Sequence, residues 1–277
     1  MKHFAVLGDP IAHSKSPAMH AAAYRALGMP HDYVAIRASS GDLPALVQQL
    51  RDGLFDGFSI TVPHKRAILD LVDAVTPSAD AVAAANTLVR DAAGKIVAYN
   101  TDVPALAQEI ARLAPEFGPG SWRHALVLGS GGAARAAISA LAVDLGVSQI
   151  TVRARTTSRA LILPRGVEPS RISLEPLLGP FADREYDVVV QATSAGMSGA
   201  DAGEAIAGAV TWRALPSHAV ALDVVYAPAE TPFLRAAAAQ GLRCANGLGM
   251  LARQGALAFE LWLGVLPPFE VMLGALG

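Results

Sequence analysis

A glycine-rich turn between a short apolar run and a small-residue helix is the feature that most constrains this sequence. The apolar run 126–128 ends at Gly129, and the spacing Gly129-x-Gly131-x-x-Ala134 matches the dinucleotide fingerprint. The first glycine permits a tight turn, the second lets the backbone approach a pyrophosphate, and the small third residue permits close packing. The free N–H groups at the start of the helix predicted over 133–145 suit a diphosphate. The predicted nucleotide loop consists of Gly129, Ser130, Gly131, Gly132 and Ala133.

The segment after the next predicted strand indicates which dinucleotide binds. Sites for NAD usually carry an acidic residue about 20 residues downstream, which bonds the ribose 2′-hydroxyl. Here the strand 149–152 runs instead into Arg153, Arg155 and Arg159, with three hydroxyl side chains at 156–158. Guanidinium groups suit a phosphate dianion, so the loop predicts a 2′-phosphate site and NADP as the cofactor. A solvated basic turn is the alternative.

Composition excludes several classes of protein. The 277 residues carry 22 basic and 24 acidic side chains, which predicts no charged surface for nucleic acid or membranes. With 52% hydrophobic residues the chain has apolar side chains enough for one or two domains. The single cysteine, Cys244, excludes an internal disulfide, and the apolar run 4–8 is too short for a signal peptide. Charged residues and a proline pair interrupt the apolar stretch 251–273, which argues against a membrane span. We therefore expect a cytoplasmic protein that binds small molecules, without a metal, nucleic acid or membrane partner.

Before residue 115 the sequence mixes strand and helix patterns. Apolar runs predict strands over 4–8, 33–37 and 55–62, and a hairpin formed by 86–89 and 96–99. The predicted helices are 17–27 with Ser16 as N-cap, one on the spacing of Leu43, Leu46, Val47 and Leu50, one around 68–72, and one over 103–113.

From residue 125 onward strands and helices alternate, which is typical of a doubly wound parallel sheet. The predicted strands are 125–128, 149–153, 171–174, 187–191, 219–224 and 242–245. Pro164 and Gly166 make the segment 161–169 a poor helix, so one crossover should be irregular. A long helix is expected over 248–263.

The predicted fold is therefore an α/β protein of two domains. An N-terminal α/β domain for substrate, 1–102, is completed by the C-terminal helices, 246–277. A Rossmann domain for NADP, 103–245, is inserted between these two parts.

Four groups of polar residues lie at or beside the ends of predicted strands. They are Ser14 with Ser16, Thr61 with Lys65, Asn86 with Asn100 and Asp102, and the stretch 246–254. Ligands of open α/β sheets bind at the carboxyl ends of strands. This set of hydroxyls, amides, one amine and one carboxylate suits a small polyhydroxylated ligand. Lys65 and Asp102 suit proton transfer in a hydride reaction, because an alcohol that loses hydride must also lose its O–H proton.

Structural roles remain open for the same residues. Ser14 and Ser16 could cap a helix, and Asp102 could cap the helix at 103. Lys65 could be a surface lysine. The remaining alternatives are Asn100 as a turn residue, His13 and His64 as loop histidines rather than acid–base groups, and Cys244 as a packed strand residue.

The sequence resembles the shikimate dehydrogenase family nearly from end to end. In the first half, the motifs similar to that family are 8–17 with Met19-His20, Thr61-Val62-Pro63-His64-Lys65, Asn86-Thr87-Leu88 and Asn100-Thr101-Asp102. In the second half they are 129–136, Arg155-Thr156 with Arg159, 192–197, 223–226 and 247–256.

The resemblance implies reversible, NADP(H)-dependent reduction of 3-dehydroshikimate to shikimate, a step of aromatic amino-acid biosynthesis. It implies Lys65 and Asp102 as the catalytic pair, and Ser14 and Ser16 as ligands of the substrate carboxylate. Ring hydroxyls would be held by Thr61, Asn86 and Gln254. The implied cofactor contacts are the nucleotide loop, Arg155, Thr156, Arg159, Thr193, Val224 and Gly247, with Tyr226 near substrate and cofactor. The implied assembly is a monomer or a homodimer.

Four positions depart from the usual family pattern. Ser59, Ala154 and Gln191 stand where asparagine is common, and Arg253 where histidine or tyrosine is usual. These departures leave substrate preference and cofactor affinity open.

Two alternative functions remain. One is a quinate/shikimate or aminoshikimate paralogue, and the other is an NADP-binding regulator without activity. Quinate users resemble this chain but tend to carry threonine at the position of Ser16, and NAD users an acid near Arg155. Both features here favour shikimate and NADP, and a pure sensor would need neither Lys65 nor Asp102.

Overall fold

The computed structural model describes residues 1–158, 161–179, 181 and 183–277. These residues fall into two compact units. The first unit consists of Met1–Asp102 together with Leu251–Gly277, and the second unit of Val103–Met250. Each unit combines a β-sheet with helices, so the predicted α/β class is confirmed.

The sheet of the first unit combines parallel and antiparallel strands. Its described strands are β1 (His3–Gly8), β2 (Asp32–Arg37), β3 (Gly57–Ile60), β4 (Ala74–Val75), β5 (Thr87–Arg90) and β6 (Ile96–Tyr99), in the order β2-β1-β3-β5-β6-β4. β1 runs parallel to β2 and β3, whereas β5 and β6 form the predicted antiparallel hairpin. The predicted strand 55–62 is shorter in the structure, because the chain turns away after Ile60.

Two of the first three helices lie where the sequence predicts them, and the third, Pro77–Ala81, has no predicted counterpart. The first three are α1 (Ser16–Ala26), α2 (Leu43–Arg51) and α3 (Pro77–Ala81). The four apolar residues that predicted α2 are all buried in the core of the first unit. The helix expected around 68–72 is a single 3₁₀ turn, Ala67–Leu71, in which Ile68 is the buried residue. One buried side chain does not supply the apolar face that sustains an α-helix.

The start of α1 corrects the predicted N-cap at Ser16. The helix begins at Ser16 itself, and Lys15 stands at the N-cap with helical dihedrals and no side-chain cap hydrogen bond. The reason is a preceding turn, in which the Ser14 N–H donates to the Ile11 carbonyl at 2.9 Å and brings the chain into helical geometry early. Ser16 is therefore a buried residue of the first helical turn.

The sheet of the second unit is parallel throughout its described pairings. Its strands are β7 (His124–Leu128), β8 (Gln149–Ala154), β9 (Ile172–Pro176), β10 (Val188–Gln191), β11 (Val220–Asp223) and β12 (Arg243–Ala245), in the order β12-β11-β10-β7-β8-β9. The predicted parallel sheet is confirmed. β7 and β10 are neighbours, and the chain leaves β7 toward β8 and β10 toward β11, on opposite sides, so a switch point lies between their carboxyl ends, next to Gly129. Such a switch point is where open α/β sheets bind ligands.

The helices of the second unit follow the strand alternation. They are α4 (Asp102–Leu113), α5 (Gly132–Ser139), α6 (Glu204–Gly208) and α7 (Pro232–Ala239). α5 continues as a π-helical turn, Ala140–Asp144, in the range predicted for one helix. Between β8 and β9 the described residues contain no α-helix, only the 3₁₀ turn Pro169–Arg171, so the irregular crossover is confirmed.

The last two helices are α8 (Leu248–Leu263), which has the predicted bounds, and α9 (Phe269–Gly274). Near the end of α8, the Trp262 indole N–H donates to the Leu88 carbonyl of β5 at 2.9 Å. Gly57 permits this approach, since a Cβ there would lie 2.2 Å from the indole ring. In the part of the chain that the structure describes, no helix has the length and apolarity needed to cross a membrane.

His20 of α1 is fully buried in an aromatic cluster of the first unit. Its ring stacks on that of Tyr33 at 4.1 Å and lies 6.2 Å from that of Phe259. Neither ring nitrogen has a hydrogen-bond partner among the described residues. Burial lowers the pKa of His20 from 6.5 to about 3, so the folded protein holds this ring neutral.

We expect the free energy of unfolding to fall as the pH drops from 6.5 toward 3, because only the unfolded chain then protonates His20. About 2–3 kcal/mol of this free energy should be lost between pH 7 and pH 4.5 through His20. His20→Phe should remove that part of the loss, whereas His13→Asn, at an exposed histidine, should leave it unchanged. Urea unfolding at the two pH values measures the effect. Equal losses in wild type and His20→Phe would contradict the assignment.

Candidate active site

Lys65 and Asp102 form an ion pair in the first unit. The Lys65 ammonium donates to Oδ2 of Asp102 over 2.7 Å, and the carboxylate is 11% exposed. Lys65 lies in the turn after β3, where its carbonyl accepts from the Ala85 N–H at 2.8 Å. Asp102 is the first residue of α4. The turn and the helix start thus bring an amine and a carboxylate together, the two groups that the sequence offered for proton transfer.

The Asp102 carboxylate belongs to a side-chain network rather than to a helix cap. Its Oδ1 accepts from the Asn86 amide at 2.9 Å while Oδ2 accepts from Lys65. The backbone N–H of Asp102 donates to Oδ1 of Asn100 at 3.0 Å. The side chain at the start of α4 that accepts from the backbone is therefore Asn100, the predicted turn residue, and the capping alternative for Asp102 is not supported.

Asn86 is the centre of this network. Its Nδ2 donates to Oγ1 of Thr101 and Oδ1 of Asp102, each at 2.9 Å, and lies 3.3 Å from Oε1 of Gln254. Its Oδ1 accepts from the Thr101 N–H at 2.8 Å. An amide nitrogen has two hydrogens, so three acceptors share two donors. Asn86 is 2% exposed and is fully engaged by protein groups.

Gln254 enters the same network from the second turn of α8. Its Nε2 donates to the Leu251 carbonyl at 2.9 Å, which leaves one amide hydrogen for another partner. Its backbone carbonyl accepts from the Thr101 hydroxyl at 3.0 Å. Thr101 therefore links α8 to Asn86 through one buried hydroxyl.

The two serines form a separate polar group at the start of α1. The Ser16 N–H lies 3.3 Å from Oγ of Ser14, so the two residues adjoin. The intervening side chain, Lys15, turns away, and its ammonium donates to the Leu276 carbonyl. Thr61 follows β3 and packs against Gly8, where a Cβ would lie 2.5 Å from Cγ2 of Thr61.

The contacts and exposure of His13, His64 and Cys244 fit structural roles. His64 is 1% exposed, and its Nε2 lies 2.7 Å from the Ala38 carbonyl, whereas His13 is exposed in its loop. Cys244 lies in β12, as expected, and burial raises the pKa of its thiol. The described residues contain no group of three or more His, Cys, Asp or Glu side chains that could hold a metal ion.

The nucleotide loop has the form that its glycines predict. Gly129 has a φ of +117°, and a Cβ there would lie 3.0 Å from the Ala192 carbonyl, so both conformation and space require glycine. Gly131 and Gly132 have no atom within 4 Å of an added Cβ. α5 begins at Gly132 without a side-chain cap hydrogen bond. Its first N–H groups are therefore not used by a capping side chain, as an anion site requires.

The basic segment after β8 is divided between surface and core. Arg155 and Thr156 are exposed, as expected for a phosphate clamp. Arg153 corrects the prediction, because it is 2% exposed, donates to Glu175 at 3.0 Å and stacks its guanidinium 3.5 Å from the Phe181 ring. An inward-facing position on β8 makes it a core residue. Arg159 lies outside the described residues.

Loops after the other strands carry the remaining predicted residues. Thr193 follows β10, Val224 and Tyr226 follow β11, and Gly247 follows β12. A Cβ on Gly247 would lie 2.2 Å from the Val224 carbonyl, so glycine is required by this close approach. Sequence reasoning assigned no role to Asp223, the last residue of β11, although an acid that ends an apolar run was a visible signal.

Of the four residues that depart from the family pattern, three lie on strands and one packs on an aromatic ring. Ser59 pairs with Thr87 across β3 and β5, and Ala154 ends β8. Arg253 stacks on Phe269, with its guanidinium 4.4 Å from the ring centroid. Gln191 ends β10 and is fully buried.

Two family descriptions match parts of this chain. The shikimate dehydrogenase substrate binding domain matches residues 6–88, and the shikimate 5′-dehydrogenase C-terminal domain matches residues 247–276. A relative from Citrifermentans bemidjiense, a shikimate dehydrogenase (NADP(+)), is 40% identical and aligns over 98% of this chain and 93% of its own length.

Solved structures resemble the whole chain. Shikimate 5-dehydrogenase from Thermus thermophilus, in complex with NADP(H) and shikimate, has a TM-score of 0.82 at 37% identity, over 100% of this chain and 98% of that one. Quinate dehydrogenase from Corynebacterium glutamicum, in complex with NAD, has a TM-score of 0.85 at 30% identity, over 99% and 98%.

Thr101→Val should lower the free energy of unfolding by about 1–3 kcal/mol, because it removes two hydrogen bonds of one buried hydroxyl, which donates to the Gln254 carbonyl and accepts from the Asn86 amide. Thr87→Val is the matched control, at a buried threonine whose hydroxyl, within the described part of the chain, has one hydrogen bond, to Oδ1 of Asn86. Thr87→Val should lower the free energy of unfolding by less, because Oδ1 of Asn86 still accepts from the Thr101 N–H. Urea unfolding of both variants measures the difference, and equal costs would argue against the linking role of Thr101.

Proposed function

This chain belongs to the shikimate dehydrogenase family, and from that premise we propose that it interconverts 3-dehydroshikimate and shikimate with NADP(H). The predicted family, dehydrogenase class and NADP cofactor are confirmed by the relatives described above. The observation that carries the proposal is the Lys65–Asp102 ion pair, set in a network of amide and hydroxyl groups. A carrier or a sensor has no need of such a proton-transfer pair.

We assign the proton transfer to Lys65. Oxidation of a secondary alcohol removes its O–H proton together with a hydride, and bound NADP supplies the hydride acceptor. Lys65 Nζ has three donor positions, of which one is used on Asp102, so the other two can face a substrate oxygen. In reduction the ammonium donates a proton to the carbonyl oxygen, and in oxidation the amine takes it back. Asp102 keeps the amine oriented through its 2.7 Å hydrogen bond.

We assign the substrate carboxylate to Ser14 and Ser16. The helix α1 starts without a side-chain cap hydrogen bond, so capping does not occupy the Ser16 hydroxyl. Hydroxyls that donate to an anion form charge-assisted hydrogen bonds.

We assign the ring hydroxyls to Thr61, Asn86 and Gln254. Gln254 has an amide hydrogen to offer. Asn86 already shares two hydrogens among three acceptors, so its bond to a substrate requires release of the 3.3 Å contact to Gln254. Binding should therefore loosen the contact between these two amides.

The cofactor residues form two groups in the proposal. The pyrophosphate would lie on Gly129, Ser130, Gly131, Gly132 and Ala133, and the open space at Gly131 and Gly132 fits a close backbone approach. The 2′-phosphate would be held by Arg155, Thr156 and Arg159. Thr193, Val224 and Gly247 would contact the remainder of the cofactor, with Tyr226 near both ligands.

The domain roles, assembly and location complete the proposal. Residues 1–102 with 246–277 would bind substrate and residues 103–245 would bind NADP. A monomer or homodimer in the cytoplasm is expected, with small molecules as its ligands.

A quinate-preferring enzyme is the second candidate, favoured by the similarity to the Corynebacterium glutamicum quinate dehydrogenase. Ser16 and Arg155 favour shikimate and NADP over quinate and NAD. Initial rates on shikimate and quinate, each with NADP and NAD, decide among the dehydrogenases. Absence of turnover in all four combinations would instead support a regulator without activity.

Lys65→Ala should lower kcat by about 10²–10⁴-fold and change KM far less, because a positioned acid–base group acts mainly in the transition state. Lys95→Ala, at an exposed lysine beside the β5–β6 turn, is the control and should retain wild-type kinetics. Steady-state rates followed at 340 nm measure both variants. A kcat for Lys65→Ala within threefold of wild type would disprove the assignment.

Arg155→Asp should raise the KM for NADP at least tenfold, because one charge-assisted hydrogen bond is lost and a carboxylate repels the 2′-phosphate. Activity with NAD should be retained or improved, since the carboxylate can accept from the ribose hydroxyl. Arg213→Asp, at an exposed arginine of the second unit, is the matched control. The KM for each cofactor gives the result, and a wild-type preference for NAD would contradict the clamp.

A further inference from the structure

Two buried polar side chains end neighbouring strands of the second unit. Gln191 is the last residue of β10 and Asp223 the last residue of β11, and the two are register partners. Both are fully buried. Neither has a role in the proposed reaction, so the burial of these two polar side chains needs a physical reason.

Each side chain folds back on the loop that follows its own strand. Gln191 accepts from the Thr193 N–H and donates to the Ala195 carbonyl at 2.9 Å. Asp223 accepts from the Val225 N–H at 2.9 Å and from the Thr231 hydroxyl at 2.6 Å. The carboxylate of Asp223 thereby joins the beginning of the loop 224–231 to its end.

Backbone contacts hold the same loop from two further sides. The Val224 N–H donates to the Gln191 carbonyl at 3.0 Å, and the Gly247 N–H donates to the Val225 carbonyl at 3.0 Å. Gly247 also packs against the Val224 carbonyl. With Asp223 in place, the segment 224–226 has little freedom to shift. In the proposed function this segment carries Val224 and Tyr226 toward the ligands.

We propose that Asp223 is a positioning residue, which fixes the segment 224–226 for cofactor binding through its bonds to Val225 and Thr231. The inference rests on the proposed function, because it concerns NADP(H) affinity. Asp223 itself has no contact with the cofactor in this proposal and acts only through the loop.

The ionised form of Asp223 is the one that holds the loop, because only a carboxylate accepts from both donors without a proton of its own. Burial raises the pKa of Asp223 from 3.8 to about 6, while its bonds to Thr231 and Val225 oppose that rise. The ionised group therefore lowers folding stability at neutral pH. Because ionised Asp223 lowers folding stability, its presence is better explained by its effect on the loop 224–231 than by packing.

Few charged groups belong to the elements that pack against Asp223. Among the described residues, β10 carries no titratable side chain. On α7, Arg235 pairs with Glu230, and on β12, Arg243 pairs with Glu116. The other titratable neighbours in sequence or sheet are Cys244 of β12 and Tyr226 of the same loop, and burial raises the pKa of both. Protonation of Asp223 should therefore follow one step near its own pKa, with weaker cofactor binding on the acid side.

The test compares NADPH dissociation constants of wild type and Asp223→Asn between pH 5 and pH 8, followed by cofactor fluorescence. At pH 8 the variant should bind about tenfold more weakly, the value of one charge-assisted hydrogen bond. The ratio of the two constants should fall toward one by pH 5, where wild type is itself protonated. The 2′-phosphate titrates in the same range but contributes equally to both proteins, so the ratio isolates Asp223.

Two further variants keep the test decisive if Asp223→Asn does not fold. Thr231→Val removes the hydroxyl that lowers the pKa of Asp223, so the acid step in NADPH affinity should move to higher pH. Thr231→Ser should keep the wild-type midpoint. Asp144→Asn, at an exposed carboxylate of the second unit, is the matched control and should follow wild type at every pH.

The outcomes separate this inference from the proposed function. A ratio that stays constant with pH, an unchanged affinity in Asp223→Asn, or an unmoved midpoint in Thr231→Val overturns the positioning role. Failure of wild type to bind NADPH at pH 8 overturns the proposed function instead.

Discussion

The hydrogen bonds of the Asn86 side chain join separate segments of the first unit into one polar network. Asn86 precedes β5, Asp102 starts α4 and Gln254 belongs to α8, yet all are held by one buried amide. Oδ1 of Asp102 has its protein donor in Asn86, which leaves Oδ2 to Lys65. The geometry of the ion pair therefore depends on a neutral amide that carries no charge itself. A buried network of this kind specifies one arrangement, because each unmade hydrogen bond costs free energy.

In the second unit, buried polar side chains hold the loops at the ends of the parallel strands. Where a strand ends, the next loop presents N–H groups that no neighbouring strand accepts. Gln191 and Asp223 supply acceptors from within the sheet, and Gly129 admits a close approach of the Ala192 carbonyl. The loops at this edge of the sheet are thus fixed by buried side chains, while the exposed faces at Gly131, Gly132 and Arg155 remain open to a ligand.

Burial of polar groups has different consequences at different places in the chain. Arg153 is buried with a carboxylate and an aromatic face as partners, so its charge is compensated. His20 is buried without a hydrogen-bond partner among the described residues and is held neutral by the low pKa that burial imposes. Asp223 has hydrogen-bond donors but no paired cation among the described residues. Only the last case places an ionisable group against a loop with a proposed ligand role.

The sequence by itself determined the features that depend on local pattern. The apolar spacing of α2, the strand–helix alternation after residue 125, the glycine spacing at 129–134 and the bounds of α8 were all predictable, because propensity and periodicity act over a few residues. The tertiary structure decided what depends on partners distant in the chain. It placed Ser16 inside the first helical turn and directed Arg153 into the core. It also joined Lys65 to Asp102, 37 residues apart, and Asn86 to Gln254, 168 residues apart. Packing decides which face of a strand is buried and which donor reaches a given acceptor. Packing depends on residues that are distant in the chain, so no single stretch of sequence determines it.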